Sequence, residues 1–231
     1  MRQVLRKEKK YLMDITQASQ LEARLGAVLQ PDPHNGACGY PVRSLYFDTP
    51  HERDFTEKLW GTDVRRKVRL RVYSPQADFA MLELKQKQGE HQLKRGLRIR
   101  RADALALIDG RLDVLLGYEE PFAAEMHALM SINAYRPKTI VEYNRRAFIA
   151  KENKTRITLD GNIRATEFNN GLFSEQLCMY PVFDPFNLIL EVKYDGFLLS
   201  YIRELLNTAD KSEVAASKYC LARSICMGYQ F

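Results

Sequence analysis

Charged and apolar residues alternate along much of this chain, most visibly in VRRKVRLRVY, Val64 to Tyr73. A strand sends successive side chains to opposite faces, so Arg65, Lys67, Arg69 and Arg71 share one face while Val68, Leu70 and Val72 share the other. The same pattern predicts strands at Val4 to Leu12, Val42 to Asp48, Phe79 to Gln88, His91 to Arg101, Thr139 to Ala150, Thr155 to Arg164 and Leu188 to Tyr194. Helical spacing of Ala18, Leu21, Leu25 and Val28 or Leu29 predicts a first helix to about Leu29, with Thr16 as its N-cap. Further helices are expected at His51 to Trp60, at Ala102 to Ile108, Asp113 to Leu116 and Pro121 to Ile132, and at Phe197 to Leu206 and Ser217 to Met227. Pro31 to Pro41 reads as loop, Gly89-Glu90 as a hairpin turn, and Asn169 to Pro185 fits neither period.

The charged faces share a grammar. Glu8/Lys10, Glu83/Lys85 and Glu191/Lys193 are Glu-x-Lys pairs, and Arg69/Arg71 and Arg98/Arg100 are Arg-x-Arg pairs, so a strand aims both charges of each pair the same way. Lys94 and Arg156 extend the set. Two readings are open. The charged faces are the wet outside of an ordinary sandwich or barrel, or the barrel is inverted, with charges lining a lumen and helices covering the apolar outside. Solvated sheet faces mix Thr, Ser and both charge signs, and here the cations dominate. Unpaired cations crowded in a lumen repel and are costly to desolvate, a cost that a bound chain of phosphates removes. Arginine forks fit phosphate oxygens, and the few carboxylates, Glu8, Glu83 and Glu191 among them, suit a divalent metal.

Composition narrows the classes. The chain has 231 residues, 45% of them hydrophobic, enough for one domain with a real core, and 35 Lys+Arg against 29 Asp+Glu favour a polyanionic partner. No apolar run reaches the length of a membrane span, and MRQVLRKEKK lacks a signal-peptide core, so the expectation is a cytoplasmic protein, either free or peripheral at the inner face of a membrane. Cys38, Cys178, Cys220 and Cys226 are scattered, which argues against disulfides and structural zinc. His34, His51, His91 and His127 read as surface or structural. Glu142 reads as a salt-bridge partner outside the lumen ahead of a second metal ligand, because its strand parity opposes Arg145. Trp60 reads as a core or helix-end aromatic, and Tyr46 equally as a lumen residue or a cap of the sheet. The C-terminal helix, with Leu221, Ile225 and Met227, reads as a plug or packing helix.

The runs RKEKKY (Arg6 to Tyr11), SLYFDTP (Ser44 to Pro50), VRLRVY (Val68 to Tyr73), LELK (Leu82 to Lys85), YNRRAF (Tyr143 to Phe148), RITLD (Arg156 to Asp160), LEVKY (Leu190 to Tyr194) and SKY (Ser217 to Tyr219) resemble the VTC domain. That is the polyphosphate polymerase domain of the vacuolar transporter chaperone complex, in the triphosphate tunnel metalloenzyme superfamily. The resemblance spans the chain in motif order. It implies an α+β fold: an antiparallel β-barrel tunnel with helices packed outside, a C-terminal helix, and one domain over 1–231 with a helical insertion at about 102–134. It implies transfer of the γ-phosphate of ATP to a growing polyphosphate chain, with a divalent metal, manganese or magnesium. Lys10, Arg69, Arg71, Lys85, Lys94, Arg145, Arg156, Lys193 and Lys218 would contact phosphates, Ser217 would add a hydroxyl, and Glu191 would hold the metal. Arg145, rather than Arg146, matches the Tyr-x-Arg-x-Ala-Phe pattern.

Hydrolytic relatives begin with Glu-x-Glu-x-Lys, whereas this chain has Arg6-x-Glu8-x-Lys10, which favours polymerase over a two-metal hydrolase. Ala215 stands where the fungal polymerase has a lysine, implying a weaker grip on the product. With no SPX segment or membrane span read in the sequence, a stand-alone protein docked to a membrane partner is expected. The alternatives are a tripolyphosphatase or nucleoside triphosphatase, and a non-catalytic binder of polyphosphate or nucleic acid. Nucleic acid is disfavoured because aromatic residues are not interleaved with the basic strands.

Overall fold

The computed structural model describes residues 6–227 apart from positions 90, 168 and 183, so Val4, at the start of the first expected strand, and Glu90 of the hairpin turn lie outside the described residues. In chain order the elements are β1 (Arg6–Asp14), α1 (Ile15–Val28), β2 (Gln30–Pro31), β3 (Tyr40–Asp48), α2 (Arg53–Leu59), β4 (Val64–Val72), β5 (Phe79–Gln88) and β6 (His91–Arg100). There follow α3 (Arg101–Ile108), a 3-10 turn at Leu112–Gly117, α4 (Pro121–Ile132), β7 (Arg136–Ile149), β8 (Arg156–Thr166), β9 (Tyr180–Pro181), β10 (Asn187–Asp195), α5 (Ser200–Asn207), β11 (Ser212–Glu213) and α6 (Lys218–Met227). The fold is α+β and mostly antiparallel. No described helix is long and apolar enough to cross a membrane.

The chain divides into two compact units, residues 1–41, 142–164 and 181–217, and residues 42–141, 165–180 and 218–231. In the first, β1 pairs with β10 and with β11, and β10 pairs with β8, all antiparallel. Leu21 and Leu25 of α1 and Ile202 and Leu206 of α5 form one core with Ile157, Leu159, Leu190 and Val192. In the second unit, β3, β4, β5 and β6 pair consecutively. Their Leu45, Phe47, Val68, Leu70, Leu82, Leu84, Leu97 and Ile99 pack with Leu107, Leu115, Met126 and Met130 from the helical insertion. In both units the helices cover the apolar face of the sheet, and the charged side chains lie on the other face.

The closed barrel expected from the sequence is not confirmed by the strand pairing. Among the described residues the pairing order has ends at β11 and β6 and does not close. At one end β11 offers only two residues of ladder, too little backbone to carry pairing onward. The first helix is capped by Asp14, not Thr16: its carboxylate accepts from the backbone N–H groups of Thr16 and Gln17 at 2.8 and 2.9 Å. The expected helix at Phe197 starts later, at Ser200, because Gly196 turns the chain at a φ of 69°. Much of the segment from Asn169 that fits neither period is irregular, yet it buries Leu172 and Phe173 in the second unit's core. Trp60 ends α2 and is 77% exposed, a helix-end and not a core aromatic. In α6, Tyr219, Cys220 and Ala222 are buried; the side chains of Ile225 and Met227 lie outside the described residues.

Candidate phosphate-binding faces

The charged face of the second unit is organised by a buried acid. Glu83 on β5 is only 3% exposed. It accepts from Arg69 Nε at 2.7 Å, lies 3.9 Å from Arg71 Nη1, and pairs with Lys94. Burial alone would push its carboxyl up, but these three cations outweigh burial and hold Glu83 down at about 2. Arg69 Nη1 also donates to Tyr46 Oη at 3.0 Å, and Arg71 Nε donates to Ser44 Oγ at 3.3 Å. Strand register places Lys67, Lys85 and Lys94 directly abreast on this face. Like charges side by side destabilise a sheet unless an anion joins them.

The first unit repeats the theme on β1, β10, β8 and β7. Register sets Lys10 opposite Glu191, Glu8 opposite Lys193, Glu191 opposite Thr158, and Lys193 opposite Arg156. Lys10 Nζ lies 3.1 Å from Glu8 and donates to the Ala216 carbonyl at 2.9 Å, which holds the segment before α6 to this face. Arg145 donates to both oxygens of Asp160, at 2.7 and 2.8 Å, and reaches Glu191 at 3.7 Å. Burial works against the Arg145 charge, but Asp160 and then Glu191 outweigh it and raise its pKa further. Arg156 donates to Asp32 at 2.7 Å and to Tyr40 Oη at 2.9 Å. His34 also holds Asp32, and burial, which would raise that carboxyl, is outweighed by His34 and Arg156, so it is lowered.

The structure therefore gathers Arg69, Arg71, Lys85 and Lys94 on one face and Lys10, Arg145, Arg156 and Lys193 on the other. Arg98 and Arg100 are not brought to the Glu83 cluster. The Arg98 guanidinium lies 3.7 Å from the centre of the Phe79 ring, and Arg100 is ion-paired with Asp103 at 2.8 Å. Ser217 is buried and Lys218 begins α6. Arg146 pairs with Glu22 of α1, away from Asp160, and Glu142 pairs with Arg164 at 2.9 Å. Tyr46 lies on the charged face as the partner of Arg69. Sequence reasoning assigned no role to Asp160, Thr158 and Asp32. Strand parity marks the first two, and nothing in a loop marks the third.

Beside the second face sits a buried acid pair. Asp48 accepts from the N–H groups of Thr49, Asp54 and Phe55 and, at 2.6 Å, from Tyr219 Oη, which ties α6 to the turn before α2. Asp54 is fully buried, with Tyr135 Oη 2.9 Å away; burial, and then Asp48, push it up to about 7. In the folded state Asp54 thus keeps a proton that the unfolded chain releases near 4. Stability should accordingly fall as pH rises from about 4 to 7, by roughly 4 kcal/mol at most, and level off above. Over pH 5.5 to 7.5 the unfolded carboxylates are already ionised, so this is the window in which to compare the natural protein with a variant lacking the Asp54 carboxyl. Chemical denaturation across that range should show the slope in the natural protein and lose it in Asp54→Asn.

A divalent metal can be tested against these donors. Among the described residues no three His, Cys, Asp or Glu side chains converge. Glu83 does not fit, since three cations already occupy its oxygens. Glu8 and Glu191 do fit: Lys193 Nζ lies 2.6 Å from Glu191 and 4.0 Å from Glu8, so one cation already bridges both carboxylates. Two carboxylates completed by phosphate oxygens and water are a donor set suited to magnesium or manganese.

The VTC domain family model matches residues 5–227, and the chain belongs to that family. Among solved structures the chain is similar to a putative adenylate cyclase from Bacillus halodurans, with a TM-score of 0.54 and 14% identity over 91% of this chain and 92% of that one. It is also similar to a protein from Pyrococcus horikoshii, with a TM-score of 0.46 and 12% identity over 95% and 99% of the two chains. The first likeness is one of fold. No curated protein matches the chain.

Proposed function

We propose that this protein is an ATP-dependent polyphosphate polymerase of the triphosphate tunnel metalloenzyme superfamily. The observation that carries the reading is the placing of arginine forks and lysines on sheet faces turned away from the helix-covered cores, within a VTC domain. The terminal oxygen of a polyphosphate chain is already ionised at neutral pH, so it attacks the γ-phosphorus of ATP without a general base. The bond between that phosphorus and the β–γ bridging oxygen breaks, and ADP leaves with the electron pair. Such a transfer needs alignment and neutralisation of spreading charge, with little covalent work by the protein. In the second unit Arg69 and Arg71 would be the planar donors for phosphate oxygens, with Lys85 and Lys218 as point charges; in the first unit Arg145 would be the planar donor, with Lys10 and Lys193 as point charges. Glu191, aided by Glu8, would hold a divalent metal, which adds Lewis-acid stabilisation of the phosphoryl oxygens.

The test is product partition. Purified protein given ATP and manganese should yield ADP together with a polyphosphate ladder on a gel, and little orthophosphate. Orthophosphate without a ladder would assign a triphosphatase. Salt-sensitive binding without turnover would assign a binding module, and tighter binding of single-stranded nucleic acid than of polyphosphate would move the substrate class.

A further inference from the structure

Thr158 is 1% exposed, and its hydroxyl is buried with no hydrogen-bond partner. It stands on the charged face of β8, directly across from Glu191 in register. A buried, unpartnered hydroxyl costs stability, and one beside a carboxylate can be satisfied by donating to it. As the protein stands, Glu191 is engaged with Lys193 at 2.6 Å and with Arg145 at 3.7 Å. Those two cations are among the groups that a phosphate chain would recruit. The side chains of Lys193 and Arg156 are 25% and 33% exposed, so they rise to the surface of the face while Thr158 lies at its floor. Depth therefore sets Thr158 against Glu191 and not against the phosphates.

We propose that Thr158 is a positioning residue for Glu191: when phosphates draw Lys193 and Arg145 away, its hydroxyl donates to the released carboxylate and aims the other oxygen at the divalent cation. The pairing exchanges one set of donors for another, so Glu191 is never left buried without a partner. The inference rests on the phosphate-handling reading of this face and deepens it.

The test compares the natural protein with Thr158→Val, which keeps the shape without the hydroxyl, and Thr158→Ser, which restores it. Tripolyphosphate affinity is measured calorimetrically without metal, manganese affinity of the tripolyphosphate-bound protein by electron paramagnetic resonance, and thermal stability of the free protein alongside. Thr158→Val should leave Tm unchanged or raised, because it removes an unpartnered group, and should weaken metal-free tripolyphosphate binding severalfold, because Glu191, once released by the phosphates, then lacks its replacement donor. It should weaken manganese binding about tenfold, the scale of one charge-assisted hydrogen bond, and Thr158→Ser should recover most of that loss. Unchanged manganese affinity in Thr158→Val would overturn the proposal, and so would a fall in Tm of several degrees, which would mark a structural hydroxyl. If the natural protein binds no tripolyphosphate, the phosphate-handling reading fails first and the inference falls with it. Binding by the natural protein with no difference in the valine variant defeats the inference alone.

Discussion

Arg69→Ala is expected to lower ATP turnover on the order of a thousandfold, the scale lost when a charge-stabilising arginine is removed from a phosphoryl-transfer site. Arg69 is held from two sides, by Glu83 at 2.7 Å and by Tyr46 at 3.0 Å, so its guanidinium is pre-aligned and little ordering entropy remains to be spent on binding. Lysine cannot replace it, because an ammonium lacks the fork that reaches Glu83, Tyr46 and a phosphate together; Arg69→Lys should recover only part of the activity. The alanine variant should still fold. Glu83 keeps Arg71 and Lys94, and the loss of one charged partner costs about 1–3 kcal/mol against a typical 5–15. With Arg69 gone the Glu83 carboxyl should rise from its value of about 2. A depressed acid stabilises the fold above its unfolded pKa and loses that contribution as pH falls, so acid unfolding should begin at higher pH in the variant. Steady-state turnover and an acid titration followed by circular dichroism measure the two effects separately. Full activity in a folded Arg69→Ala protein would sink the assignment of this face.

Glu191→Gln should abolish metal-dependent turnover, by on the order of a hundredfold or more, while leaving metal-free polyphosphate binding intact or tighter. The amide keeps the shape but removes the charge that a divalent cation needs, and it removes a negative charge that phosphates must approach. Lys193 loses an ion-pair partner there, yet it stays within 4.0 Å of Glu8, and Arg145 keeps both bonds to Asp160. The thermal midpoint should therefore move little. Turnover as a function of manganese concentration, set beside a calorimetric titration with tripolyphosphate in chelator, separates the roles; metal-dependent turnover equal to that of the natural protein would remove Glu191 from the metal site.

Much of this arrangement was legible from strand parity alone. Once Val68, Leu70 and Val72 are assigned to a core, Arg69 and Arg71 must lie on the other face, and the same logic fixes Glu8 with Lys10 and Glu191 with Lys193. Parity also separates Arg145 from Arg146, which the structure places with Asp160 and with Glu22 respectively. What parity cannot give is position along a strand. Arg98 and Arg100 share a face with Lys94, yet they reach Phe79 and Asp103 because β6 carries them toward its end and into α3. Nor does the alternation say which carboxylate is saturated: Glu83 and Glu191 stand in identical Glu-x-Lys pairs, and only the three-dimensional set of cations around Glu83 marks it as an anchor. Asp32 from a loop and Tyr40 at the start of β3, which hold Arg156, both lie in the segment Pro31 to Pro41, whose proline and glycine content predicts irregular backbone and nothing about where its side chains end. The two-residue strands β2, β9 and β11 are too short to leave any periodic signal.

The central claim is that phosphate chains lie on these two sheet faces. Lysine acetylation read by mass spectrometry, with and without tripolyphosphate, tests it most directly. Lys10, Lys85, Lys94 and Lys193 should lose reactivity when tripolyphosphate is present, while Lys9, whose partner is Glu213 on the exposed edge, and Lys151 in its exposed loop should react as before. Equal reactivity of Lys10, Lys85, Lys94 and Lys193 with and without ligand, or protection confined to lysines off these faces, would contradict it.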